Sequence, residues 1–145
     1  LEKDTAQTIH FFTEDISFQL EDENKIRSWI LAVITAEKQA VENINYIFCS
    51  DEYLLEINKK HLNHDYYTDI ISFPFSKDPI EGDIFISIDR IKDNAQNLEI
   101  EFTKELARVL VHGVLHFLGF GDKSSEEILI MRSKEDKYID LLNTL

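Results

Sequence analysis

The sequence holds a single cysteine, Cys49, so no disulfide can form within the chain. Set in an apolar stretch, it reads as a core side chain compatible with a reducing compartment. No apolar run is long enough to cross a bilayer, and the start, Leu1-Glu2-Lys3-Asp4, lacks the basic-then-apolar pattern of a secretory signal. A soluble, cytoplasmic protein with no membrane partner is expected. Positive charge is scarce too: 15 Lys and Arg against 28 Asp and Glu give a formal charge of -13. That balance counts against a broad grip on nucleic acid, where Lys and Arg normally supply the non-specific affinity. A nucleic-acid substrate must then meet a local cationic site or be presented by a partner, and a basic protein suits an acidic surface. Acidity also simply aids solubility. Repeats, low-complexity tracts and linkers are absent, and 145 residues with 43% hydrophobic content suffice for one domain around one core.

Thr8 to Phe12 reads as a short strand, with His10 a structural residue within it. Ile26, Trp29, Ile30, Val33 and Ile34 recur at helical spacing, predicting an amphipathic helix from Asp22 or Glu23 to about Gln39, anchored by Trp29. Ile44 to Cys49 forms a second strand, and Ser50 with Asp51 offers an N-cap for a helix through Leu54, Leu55 and Ile57. Strand, helix, strand suggests parallel pairing. A polar segment from Asn58 to Asp69 leads into a third strand, Ile70 to Phe73, stopped by Pro74. After a loop at Lys77 to Glu81, Gly82 to Ser87 is a fourth strand, its glycine marking a turn or a close backbone approach. Asp89 is placed as the cap of a short helix ending near Asn97.

Thr103 opens the longest helical pattern. Its stripe Leu106, Val109, Leu110, Gly113, Val114 and Phe117 packs on the sheet, while Arg108, His112 and His116 lie on the other side. Val111 and Leu115 leave most of the circumference apolar, so the helix is expected to be largely buried, screening and stiffening whatever it carries. After Asp122, Ser124 or Ser125 with Glu126 or Glu127 opens a last amphipathic helix through Ile128, Met131, Tyr138 and Leu141. The fold class is α+β: a single domain, 1–145, with a small four-stranded mixed sheet packed by helices around the His-bearing one.

Residues four apart on a helix lie one above the other, so His112 and His116 present two imidazoles at a separation one metal ion bridges. Gly119 and Gly121 loosen the backbone where the pattern stops, and a chain turning back there brings Asp122 beside the rings. Two imidazoles and a carboxylate suit a borderline-soft divalent ion such as zinc, and three protein ligands leave a fourth position open for water. The alternative is a His pair that only packs in the core. Lys123 is placed at the rim of the cleft.

Three blocks resemble the YbeY family of bacterial metal-dependent endoribonucleases. His112, Gly113, Leu115, His116, Gly119 and Phe120 match its His-Gly-x-Leu-His run and Gly-aromatic turn. Asn58, Thr68, Asp69, Ile70, Ile71, Ser72 and Phe73 match a second block, and Gly82-Asp83-Ile84-Phe85-Ile86-Ser87 a third. The resemblance implies a YbeY-like metal-dependent hydrolase domain with one zinc ion per chain. It further implies cleavage of single-stranded RNA in ribosomal RNA maturation and ribosome quality control, and a ribosomal protein as partner. Two positions depart: the family's third histidine is Asp122, and the arginine thought to face the substrate phosphate is Leu62.

No arginine stands between Asn58 and Asp69, so the phosphate-facing cation is sought elsewhere. Arg108, one turn before His112, is the candidate for stabilising transition-state charge, with Lys59, Lys60 and His64 as substrate-binding candidates. The alternative for Arg108 is a pairing with Glu105 on a solvated face. Two rival functions remain open. A metalloprotease also uses paired histidines, but Gly113 stands where that motif needs a general-base Glu. A non-catalytic ribosome assembly factor would use the metal to hold its fold.

Overall fold

The computed structural model describes residues 8–145; Leu1 to Asp4, on which the expected absence of a signal rests, lie outside them. Among the described residues the order is β1 (Ile9–Thr13), α1 (Glu23–Ala36), β2 (Val41–Cys49), α2 (Asp51–Leu62), β3 (Ile70–Lys77), β4 (Ile80–Ser87), α3 (Ile88–Leu98), α4 (Phe102–Phe117) and α5 (Ser125–Thr144). The four strands lie in the order β1-β2-β4-β3. The pairs β1–β2 and β2–β4 are parallel, as helical crossovers require, and the β3–β4 hairpin is antiparallel. The α+β class and the mixed four-stranded sheet are as expected.

Period-two alternation divides the apolar residues between two faces of the sheet. On one face Ile44, Tyr46, Ile84 and Ile86 join α1, α4 and α5 in the main core. On the other, Ile71, Phe73 and Phe85 pack with Tyr53, Leu54 and Ile57 of α2. Trp29, fully buried, donates its indole N–H to the Tyr138 carbonyl at 2.7 Å and so fastens α1 to α5. The Tyr46 hydroxyl donates to the Leu110 carbonyl at 2.8 Å, joining β2 to α4. Gly82 is a close approach: a Cβ there would sit 2.6 Å from both Phe117 Cζ and the Phe73 carbonyl oxygen, so its absence lets α4 lie down on β4. No helix among the described residues is long and apolar enough to cross a membrane.

Several boundaries differ from expectation. Pro74 does not stop β3, which runs on to Lys77. β3 is an outer strand, where a missing donor costs no ladder bond, and the register shifts between Pro74 and Ser76. The supposed polar segment begins as helix, because α2 continues through Asn58 to Leu62. The expected loop from Lys77 to Glu81 shrinks to a tight turn at Asp78-Pro79. Ser87, not Asp89, caps α3: its hydroxyl accepts from Arg90 N at 3.1 Å, while Asp89 turns to accept from Asp51 N at 2.9 Å. α1 ends at Ala36, three residues early, and α4 starts at Phe102.

Cys49 is fully buried at the end of β2. Burial, reinforced by Asp15 and other nearby carboxylates, pushes its thiol up to about 12. Since the thiolate is the reactive form, native protein is expected to resist iodoacetamide at pH 8 and to react only when denatured. Mass spectrometry of the alkylated protein checks this; ready labelling of the native state contradicts the placement.

Candidate metal centre

The ligand set starts from how α4 ends. Leu118 caps the helix, Gly119 takes a left-handed φ of 102°, and the chain closes with Gly119 N→His116 O at 3.0 Å and Phe120 N→Leu115 O at 3.0 Å. These two bonds are the Schellman pattern, which glycine adopts without a Cβ penalty. The reversal carries Asp122 back over the last turn of α4. Ser124 then starts α5 through a capping box with Glu127.

His112 Nε2 and His116 Nε2 lie 3.0 Å apart, and Asp122 Oδ2 is 3.3 Å from each. Bonds of about 2.0–2.1 Å to a tetrahedral ion imply ligand separations of roughly 3.3–3.4 Å, so this triangle is the size zinc requires. The three are the one cluster of potential metal ligands found among the described residues. Their exposure falls from Asp122, 42%, through His116, 29%, to His112, 15%, so the open side faces solvent across Asp122. Burial, and then His112, push the His116 ring below its ordinary value against the pull of Asp122, leaving it neutral and able to ligate near pH 7.

Behind the ligands lies a buried charge network. Glu105, fully buried, accepts from Arg108 Nε at 2.9 Å and also from Nη2. Glu135, 1% exposed on α5, has Oε2 at 2.6 Å from His112 Nδ1, while Arg108 Nη1 and Arg132 Nη1 each stand 3.7 Å from its Oε1. Asp69 faces the same group: burial raises its carboxyl, while Arg108 and His112 pull it down. Four carboxylates, Asp69, Glu105, Asp122 and Glu135, stand against the guanidinium groups of Arg108 and Arg132, an excess of acidic groups that favours a cation.

Arg108 therefore pairs with Glu105, as the alternative reading held, but in the interior rather than on a solvated face. Lys59, Lys60 and His64 are not brought into contact with the three ligands. Lys59 bridges Glu56 and Asp65 at 3.7 and 3.6 Å, and Lys60 is exposed on the same helix. His64 stacks on Tyr66, ring centroids 5.1 Å apart. With Leu62, Asn58 and Ser72 these rings line a hollow of about 260 Å³ whose inner wall, Ile70, abuts α4 at Gly113. A larger hollow of about 500 Å³ lies near Phe102 at the other end of α4 and includes none of the ligands. Lys123 is exposed beside Asp122.

Glu135 is not singled out from sequence, and Glu105 is singled out there only as a solvated partner of Arg108. Glu135 had a signal: it falls in the stripe Met131, Glu135, Tyr138, so a carboxylate occupies a core-facing position of an amphipathic helix. A buried carboxylate demands a partner, and the partner lies 23 residues earlier.

Fold and site together define an α+β domain in which two histidines and one carboxylate, on and just after a buried helix, converge where they could hold a metal ion. The family model described as Endoribonuclease YbeY matches residues 8–143, and the chain belongs to that family. It is 53% identical over 137 residues to the Endoribonuclease YbeY of Cytophaga hutchinsonii, covering 93% of this chain and 96% of that one. The Flavobacterium psychrophilum Endoribonuclease YbeY is 48% identical over 133 residues, covering 91% and 95%. Among solved structures, the solution structure of a Thermotoga maritima protein matches with a TM-score of 0.66 and 25% identity, over 92% of this chain and 88% of the other.

Proposed function

We propose that the protein is a zinc-dependent endoribonuclease that cuts single-stranded RNA during ribosomal RNA maturation and ribosome quality control. The observation that carries this reading is the convergence of His112, His116 and Asp122 on one point, in a chain of the YbeY family. These three residues would hold one ion per chain, and when bound it supplies Lewis acidity toward a phosphoryl oxygen and a water of lowered pKa. His112 and His116 would offer Nε2 lone pairs, and Asp122 would offer a carboxylate oxygen from the solvent side. Arg108, 22% exposed and paired with Glu105, is the guanidinium next to the three residues and is read as the one that stabilises transition-state charge. The hollow lined by His64 and Tyr66 offers stacking surface to the RNA strand, with Lys59 and Lys60, which lie between its lining residues Asn58 and Leu62 on α2, as the candidates to meet phosphates. The acidic surface suits a basic ribosomal protein as partner in the cytoplasm.

The peptidase alternative meets a steric obstacle. A Cβ at Gly113 would lie 2.9 Å from Ile70 Cδ1 and 3.1 Å from two Ile84 atoms, so the general-base glutamate that such an enzyme carries next to its first histidine would have to displace Ile70 and Ile84. The test is incubation of the zinc-loaded protein with an end-labelled single-stranded RNA and, separately, with casein. The proposal expects internal RNA cleavage, abolished by chelator and restored by zinc, and intact casein. Casein cleavage, or inert RNA, would overturn it.

A further inference from the structure

We propose that Glu135 is a positioning residue for the metal centre: from α5 it holds the His112 ring so that Nε2 faces His116 and Asp122. The inference rests on reading those three residues as the ligand set. Glu135 Oε2 lies 2.6 Å from His112 Nδ1, a charge-assisted distance, and the carboxylate is 1% exposed. With the proton on Nδ1, the ring donates to the carboxylate and presents the Nε2 lone pair to the site. The other tautomer would set an Nδ1 lone pair against a buried anion and occupy Nε2 with a hydrogen.

The remaining oxygen explains why the carboxylate stays in place. Oε1 is the one buried side-chain polar atom among the described residues with no hydrogen-bond partner. Arg108 and Arg132 approach it at 3.7 Å each, close enough to favour the anion but not to draw it off the histidine. Met131 and Tyr138, buried on either side of it along α5, fix the height of the carboxylate on α4. A purely structural bridge between α4 and α5 would use the same contact and the same tautomer, but its removal would leave the zinc affinity of the folded protein unchanged.

Two measurements separate these roles. In metal-free protein, above the pH at which His112 is protonated, long-range ¹H–¹⁵N correlation spectra report which ring nitrogen carries the hydrogen. Wild type and Glu135→Gln, whose amide oxygen still accepts, are expected to show His112 protonated at Nδ1; Glu135→Leu is expected to show a mixture or the Nε2–H form. His116 Nε2 faces His112 Nε2 at 3.0 Å, so its tautomer is expected to change with that of His112, and His64, stacked on Tyr66, serves as the internal control. Zinc affinity, measured by competition with a chromophoric chelator, is expected to fall about 10- to 100-fold in Glu135→Leu and less in Glu135→Gln. An Nδ1–H tautomer retained in Glu135→Leu, or a zinc affinity unchanged in that variant while folded, overturns the proposal. Wild type that binds no zinc overturns the metal reading instead, and the tautomer spectra still decide whether Glu135 orients the ring. Where Glu135→Leu does not fold, the wild-type spectrum decides: His112 protonated at Nδ1 in the metal-free protein upholds the proposal, and His112 protonated at Nε2 overturns it.

Discussion

Arg108→Ala is expected to lower folding stability by about 3–5 kcal/mol, the range for breaking a buried ion pair by removing one partner. Glu105 is fully buried, and both its oxygens take hydrogen bonds from the Arg108 guanidinium. Without that group a carboxylate stands uncompensated under α4, and Glu135 loses one of its two neighbouring guanidinium groups. Against a total stability of about 5–15 kcal/mol for a domain, such a loss is severe. Urea denaturation of both proteins measures it. Removing the anion as well, in Arg108→Ala with Glu105→Leu, is expected to recover much of the loss, because the cost lies in the orphaned charge. A loss below about 1 kcal/mol for the single variant would show the pair to be dispensable. Arg108→Lys keeps a cation beside Glu105, so its RNA turnover, measured with metal bound, reports what the guanidinium adds to catalysis.

His112→Ala is expected to reduce RNA cleavage by more than roughly 100-fold, because losing a supporting partner of a ligand already costs 10- to 100-fold and here the ligand itself goes. The residue has two functions at once: its Nε2 faces His116 and Asp122, and its Nδ1 side holds Glu135 at 2.6 Å. His116→Ala removes a ligand without orphaning Glu135, so it is expected to match His112→Ala in activity while staying the more stable of the two. Asp122→Asn leaves the turn intact and removes only the anionic oxygen 3.3 Å from each ring. Its zinc affinity and cleavage are expected to fall together. Kinetics and urea melts on the three variants test this, and equal activity in His116→Ala and wild type would contradict the assignment.

Much of the architecture was legible because local and global signals agree. The apolar stripe of α4 set its buried face, the spacing of His112 and His116 set the two imidazoles side by side, and Gly119 marked the reversal that returns Asp122. Capping at Ser124 was legible for the same reason, since both halves of the box lie within one helical turn. The errors fall where a residue's meaning depends on a distant neighbour. Pro74 breaks an inner strand but not an outer one, and strand order is a long-range property. The Ser87 hydroxyl, which caps α3, was hidden because Ser87 ends a strand. Asp89 offered an equally good local cap until Asp51, from another helix, claimed it. The charge network is the clearest case. Glu105, Arg108, Glu135 and Asp69 come from α4, α5 and the entrance to β3, and only their packing makes them one group.

Elemental analysis of bound metal tests the central claim most directly, on wild type and on His112→Ala, His116→Ala and Asp122→Ala, each supplied with zinc and then freed of unbound ions. The three-ligand site predicts one equivalent of zinc in wild type and its loss in every variant. Wild type without zinc, or all three variants retaining a full equivalent, would contradict it.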